Sequence, residues 1–280
     1  MHFYHSIMAK SLNVETYQCH STIISSGSSG SAKTLHVFAD HHINAGTKDR
    51  VSAKYISHCI SNVMKRDIKC LLYTSSYNGF GPVACASGAR SNGLDCTLVL
   101  CLKGFGHSKE STIDEANASL SVIRAREYGA KIFFAKTWQE MIHLGKKISE
   151  EENVWWLPLG FKDDLYVQML ADELIEAVKA TTFPSPVNRI FVVGGCGVIA
   201  RVLSIVFPNT TIMLVPIIFG GQSYFKLKSY VSQSKNIQLI NKHSPQVVSP
   251  YPSVINYDSR AWDSAVDIGI SGDYVWNVAE

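Results

Sequence analysis

The chain lacks the features that mark several broad classes of protein. No CxxC pair occurs among its seven cysteines, at positions 19, 59, 70, 85, 96, 101 and 196. Their number is odd and most have apolar neighbours, as in Lys69-Cys70-Leu71-Leu72 and Val99-Leu100-Cys101-Leu102. They read as reduced, mostly buried thiols, and no zinc site is expected. No apolar run approaches the roughly 20 residues of a membrane-spanning helix. The opening Met1-His-Phe-Tyr-His-Ser-Ile-Met-Ala-Lys10 has no long apolar core of a secretory signal, so a cytoplasmic location is expected. There is no dense Lys/Arg cluster and the formal net charge is only +3, which gives no case for a nucleic-acid surface. No internal repeat is visible. His41 and His42 stand side by side, but no carboxylate–histidine pattern follows, and they read as loop residues rather than metal ligands.

What is present is a strand–helix alternation in a chain of 280 residues, 46% of them apolar, enough for one large domain or two modest ones. Ser25 to Ala32 reads as a flexible serine–glycine loop, and residues 40–46 as a second loop. Strands are expected at Leu35–Ala39, Cys70–Thr74, Asp95–Leu102, Lys131–Ala135, Val154–Leu157, the four apolar residues Ile190–Val193, Thr211–Pro216, Asn236–Ile240 and Tyr274–Val278. Between them fall helices. One runs on from Arg50 with Val51, Tyr55, Ile56, Cys59, Ile60, Val63 and Met64 on one face. Pro82–Arg90 is a small-residue helix, and Ser111–Tyr128 reads as one long helix closed by Gly129. Trp138–Ile148, Asp163–Ala180 and Ser259–Ile268 follow. Such alternation implies a mainly parallel α/β sheet.

The clearest candidate site is Arg189-Ile-Phe-Val-Val-Gly194-Gly195-Cys196-Gly197, followed by a helix with Val198, Ile199, Val202, Leu203 and Val206. An apolar strand ends in a glycine turn and a helix begins. Backbone N–H groups unobstructed by Cβ atoms, together with the positive helix end, favour a phosphate. The same turn can also serve tight packing alone.

Two further stretches join it in a recognisable order. Gly46-Thr47-Lys48-Asp49-Arg50 resembles the Gly-x-(Asn/Thr)-Lys-x-Arg stretch of the tryptophan-synthase-β-like superfamily, the fold type II pyridoxal-phosphate enzymes. Thr74-Ser75-Ser76-Tyr77-Asn78-Gly79-Phe80-Gly81 is similar to that family's Ser-x-Gly-Asn-x-Gly loop, with Tyr77 where glycine is usual. Glu127-Tyr128-Gly129-Ala130 resembles the family's recurring Gly-Ala before a strand, and Val193–Gly197 its phosphate loop. The resemblance covers roughly residues 35–210. In flavour it is nearest to aminocyclopropane-carboxylate deaminase, D-cysteine desulfhydrase and threonine synthase. The tail from Tyr251 to Asn277 resembles compact, phage-type members, some of which are associated with viral nucleobase modification.

The resemblance implies two mainly parallel three-layer α/β/α domains with the cofactor site between them. Residues 1–50 and 160–280 would form the larger, cofactor-binding domain and 51–159 the smaller. It implies pyridoxal 5′-phosphate as cofactor, carried by Lys48 as a Schiff base. Asn78 would bond the ring hydroxyl, and Gly194, Gly195, Cys196 and Gly197 the phosphate. Thr47, Ser75 and Ser76 would hold a substrate carboxylate, and Ser253 and Asp258 are candidates to face the pyridine nitrogen. The implied function is a lyase, deaminase or β-replacement enzyme acting on an amino acid or amine, as a homodimer. Two other readings stay open. A transferase of a phosphoribosyl or nucleotide substrate would use the glycine turn without Lys48, and a non-catalytic protein would keep the fold alone.

Overall fold

A computed structural model describes residues 12–20, 32–39, 47–64, 67–103, 111–217, 221–240, 249–251 and 259–277. The expected loops at 25–31 and 40–46, and the candidates Ser253 and Asp258, lie outside the described residues. The elements in order are β1 (Val14–His20), β2 (Ala32–Ala39), α1 (Thr47–His58) with a π-helical turn at Cys59–Val63, β3 (Cys70–Ser76), α2 (Gly81–Ser91), β4 (Asp95–Cys101), α3 (Ile113–Asn117), α4 (Leu120–Glu127), β5 (Lys131–Ala135), α5 (Trp138–Ser149) and β6 (Val154–Trp156). A 3₁₀ turn at Leu159–Phe161 leads into α6 (Asp164–Lys179), β7 (Arg189–Gly194), α7 (Val198–Val206), β8 (Thr211–Pro216), α8 (Gly221–Val231), β9 (Ile237–Leu239), α9 (Ser259–Ile268) and β10 (Asp273–Asn277).

The strands form two sheets, one ordered β1-β2-β10-β7-β8-β9 and the other β5-β4-β3-β6. All pairs are parallel except β1 with β2. The second sheet draws its strands from one continuous stretch of chain, and the first from the two stretches on either side of it. β10 sits between β2 and β7, so the end of the described chain closes the middle of the larger sheet. Arg189 of β7 locks it there, forking onto the buried Asp273 carboxylate at 3.0 and 2.5 Å. The buried runs Ile190–Val193 and Ile212–Val215 are apolar on both faces, as expected for parallel strands covered by helices on each side.

Side chains fix where helices start. Thr112 and Glu115 form a capping box on α3, Thr137 caps α5, and Asp163 accepts from Leu165 N and Tyr166 N at 2.9 and 3.3 Å to open α6.

The expected single helix over 111–128 is two, α3 and α4. Ser119 turns extended (φ −66°, ψ 133°), its N–H bonds Ala116 O at 3.1 Å, and its hydroxyl pairs with that of Ser121 at 3.1 Å. The extended Ser119 ends one helix and stands at the N-cap position of the next. Two elements carry no clear period and escaped the reading, β1 and α8. β1 is an edge strand with no buried residue among those whose exposure is described, so its alternation is diluted. α8 buries Leu227, Tyr230 and Val231 but leaves Phe225 exposed. The seven cysteines form no disulfide. Cys59, Cys85, Cys96 and Cys101 are buried, and Cys19, Cys70 and Cys196 half-buried.

Candidate functional site

Both candidate loops leave the C-terminal ends of parallel strands, where open α/β sheets present ligand sites. The first follows β3. Asn78 is 9% exposed, and its Oδ1 accepts a hydrogen bond from the Ser76 hydroxyl. Its amide nitrogen is buried without a hydrogen-bond partner among the described residues. Leaving a buried donor unsatisfied costs about 1–3 kcal/mol, so such a group invites a ligand acceptor. Ser75 is buried and its hydroxyl donates to Ser76 O at 2.9 Å. Tyr77 is anchored at both ends. Its phenol pairs with Ser111 Oγ at 2.9 Å, and its carbonyl accepts from Ser121 Oγ. Ser121, in the first turn of α4, therefore pins the asparagine loop.

The second loop follows β7. Gly197 takes φ +83° as the cap of α7 and provides no side-chain hydrogen bond to the helix end. α2, which follows the asparagine loop, also lacks a side-chain cap. Helices α3, α5 and α6 have one, and α4, like α2 and α7, does not; the first N–H groups of α7 are left for other partners. Packing demands two of the glycines. A Cβ on Gly194 would lie 2.8 Å from Leu214 Cδ1, and one on Gly197 would lie 2.8 Å from both Leu227 and Val231. The tight-packing role and an open N–H cradle coexist in one turn.

Tyr73 of β3 joins the two loops. Gly160 N donates to its phenol oxygen at 2.8 Å, and its ring stacks on Phe161 with centroids 5.6 Å apart. A Cβ on Gly81 would meet the same phenol oxygen at 2.2 Å, and a Cβ on Gly160 would meet Cys196 Sγ at 2.2 Å. The start of α2, the 3₁₀ turn and the glycine loop thus pack through Tyr73, Gly160 and Cys196. Burial raises the Tyr73 phenol well above its usual pKa, keeping it neutral. Gly160 and Tyr73 were not singled out from the sequence. The signal available was Pro158-Leu159-Gly160, a turn between a strand and a helix.

Thr47 and Lys48 stand in the first turn of α1, and their side chains lie outside the described residues. The next residue, Asp49, is buried and accepts from Tyr128 Oη at 3.4 Å. α1 packs on α2, where Gly88 admits Ile56 and Ser52, and on α6, where Ser52 Oγ meets Tyr166 Oη at 3.4 Å. Among the described residues no group of three or more His, Cys, Asp or Glu side chains is arranged to hold a metal. No helix among them is long and apolar enough to cross a membrane.

No family model matches this sequence. No curated protein sequence matches it either. Solved structures do match. An ACC deaminase homologue superposes with a TM-score of 0.62 at 14% identity, over 88% of this chain and 84% of that one. Holo diaminopropionate ammonia lyase from Escherichia coli gives 0.60 at 11% identity, over 88% and 80%. An O-ureido-L-serine-bound mutant of O-ureido-L-serine synthase gives 0.56 at 10% identity, over 87% and 81%. With its parallel sheets, covering helices and these structural neighbours, the chain has the fold of the fold type II pyridoxal-phosphate enzymes.

Proposed function

We propose that this protein is a pyridoxal-phosphate-dependent enzyme acting on an amino acid or amine, as a lyase, deaminase or β-replacement enzyme. The observation that carries the reading is the buried, unpartnered amide nitrogen of Asn78, at the strand end where the resemblance puts the contact to the cofactor's ring oxygen. A phenolate acceptor there would satisfy it. The uncapped start of α7 and the Gly194–Gly197 turn suit the cofactor's phosphate. The residues present therefore fit the group.

Pyridoxal phosphate, when bound, supplies an electron sink for negative charge at the substrate's α-carbon. The rest falls to the chain. Lys48 would hold the cofactor through its amine and would serve as the base that moves the α-proton. The Ser76 hydroxyl orients the Asn78 amide through its bond to Oδ1. Thr47, Ser75 and Ser76 are the carboxylate-holding residues of this reading; the Ser75 hydroxyl donates to the Ser76 carbonyl and the Ser76 hydroxyl to Asn78 Oδ1, and each would have to leave that acceptor to bond a carboxylate. In this reading residues 1–50 and 160–280 form the larger unit, 51–159 the smaller, and the cofactor lies between them. The two-sheet topology supports that division. A cytoplasmic homodimer is part of the same proposal.

Titration with pyridoxal phosphate tests it. A saturable absorbance band at about 410–430 nm is expected from a lysine-bound cofactor. A protein that stays colourless at millimolar cofactor would leave the glycine turn to another phosphate ligand.

A further inference from the structure

A hollow of about 510 Å³ opens beside α8, lined by Lys162, Phe225, Lys226, Ser229, Tyr230 and Gln233. None of these residues belongs to the asparagine or glycine loop. The Lys162 ammonium lies 3.9 Å from the centre of the Tyr230 ring, and the Arg201 guanidinium carbon lies 4.6 Å from it. Arg201 is neutralised by Asp164 at 2.8 Å. Lys162 and Lys226 form no ion pair among the described residues. Burial lowers the Lys162 pKa, Cys196 opposes that, and the like charges of Arg201 and Lys226 lower it further. Lys162 and Lys226 are therefore neighbouring cations that no carboxylate pairs among the described residues, while Arg201 beside them is paired with Asp164; two such lysines raise the local attraction for an anionic ligand.

The wall beside the lysines is aromatic. Phe225 is 67% exposed, although its α8 neighbours Leu227, Tyr230 and Val231 are buried. A large ring left in water next to two ammonium groups suits a ligand that is flat and apolar at one end and anionic at the other. Ser229 on α8 and Gln233, in the turn just past its end, add polar groups to the rim. The volume lies within the usual range for small-molecule sites, roughly 300–1,000 Å³.

We propose that this hollow binds a phosphate-bearing small molecule with a flat ring, of the mononucleotide class. Its phosphate lies between Lys162 and Lys226 and its ring on Phe225. The proposal does not depend on the cofactor reading, but it bears on it. Lys162 follows Gly160 by two residues, and Gly160 packs on Cys196 of the glycine loop. A ligand in the hollow would press on the turn that supports that loop.

The test is calorimetric binding of adenosine, guanosine, cytidine and uridine monophosphates to the full chain, with and without pyridoxal phosphate. Inorganic phosphate and adenosine serve as separate arms. At least one mononucleotide should bind saturably below millimolar concentration, with phosphate and nucleoside alone each weaker by about tenfold or more. Lys226→Gln should weaken it about tenfold and flatten its salt dependence, as loss of one charge-assisted contact predicts. Phe225→Ser should weaken it while leaving inorganic phosphate binding unchanged. Circular dichroism unchanged in both variants shows that the fold persists. Absence of saturation with every mononucleotide would overturn the proposal. So would affinity unchanged in both variants. Failure of the cofactor reading shows separately, as absence of the visible band.

Discussion

At the scale of single residues, the asparagine loop and glycine turn differ in what a substitution would reveal. Asn78 has a donor with nothing to bond among the described residues, so that donor's contribution should appear in ligand affinity. Asn78→Ala should weaken cofactor binding by about 1.5–3 kcal/mol, the worth of a hydrogen bond to a charged acceptor. The measurement is cofactor titration, and the urea midpoint should fall alongside it, because the buried Ser76 hydroxyl loses its acceptor. Gly197 behaves the other way. Its φ of +83° and its contacts with Leu227, Tyr230 and Val231 leave no place for a Cβ. Gly197→Ala should destabilise the fold by about 1–3 kcal/mol, read from the urea midpoint.

Tyr73 gives a pH signature. Its phenol accepts from Gly160 N, and burial raises its folded pKa above the ordinary tyrosine value of about 10. A folded pKa raised above the unfolded one means that the contribution is fully present below pH ~10. It is lost as pH climbs from there towards the folded pKa, because the unfolded chain ionises first. Tyr73→Phe should cost about 1 kcal/mol at neutral pH through the lost hydrogen bond. Urea unfolding of the two proteins should show that gap narrowing above pH ~10.

At the scale of elements, long apolar runs were easy to read and mixed ones were not. Thr211–Pro216 and Lys131–Ala135 match the observed boundaries, and the strand and helix read within Arg189–Val206 fall on β7 and α7, because their patterns have one explanation each. α8 escaped because Phe225 and Lys226 interrupt its buried stripe, and those are the residues that line the hollow. Just past the helix break at Ser119, the Ser121 hydroxyl bonds the Tyr77 carbonyl, a partner 44 residues away along the chain. No local period could reveal that contact. Ser121→Ala should loosen the Tyr77–Asn78 loop, costing about 1 kcal/mol of stability and weakening cofactor binding. Denaturation and cofactor titration on the same variant would check both.

At the scale of the whole molecule, the chain closes on itself through its last described strand. β10 lies between β2 and β7, with Trp276 fully buried and Asp273 held by Arg189. The order of motifs made the α/β architecture and both strand-end loops legible. What it left dark was how the loops meet, because Tyr73, Gly160 and Cys196 come together only when the two sheets are assembled. The account joins those loops to the amine of Lys48, at the start of α1. The direct measurement is borohydride reduction of the protein after loading with pyridoxal phosphate, followed by peptide mapping. The account predicts one stoichiometric pyridoxyl group, on Lys48, and none when Lys48→Ala is treated alike. A group fixed on another lysine, or the same labelling in Lys48→Ala, would contradict it.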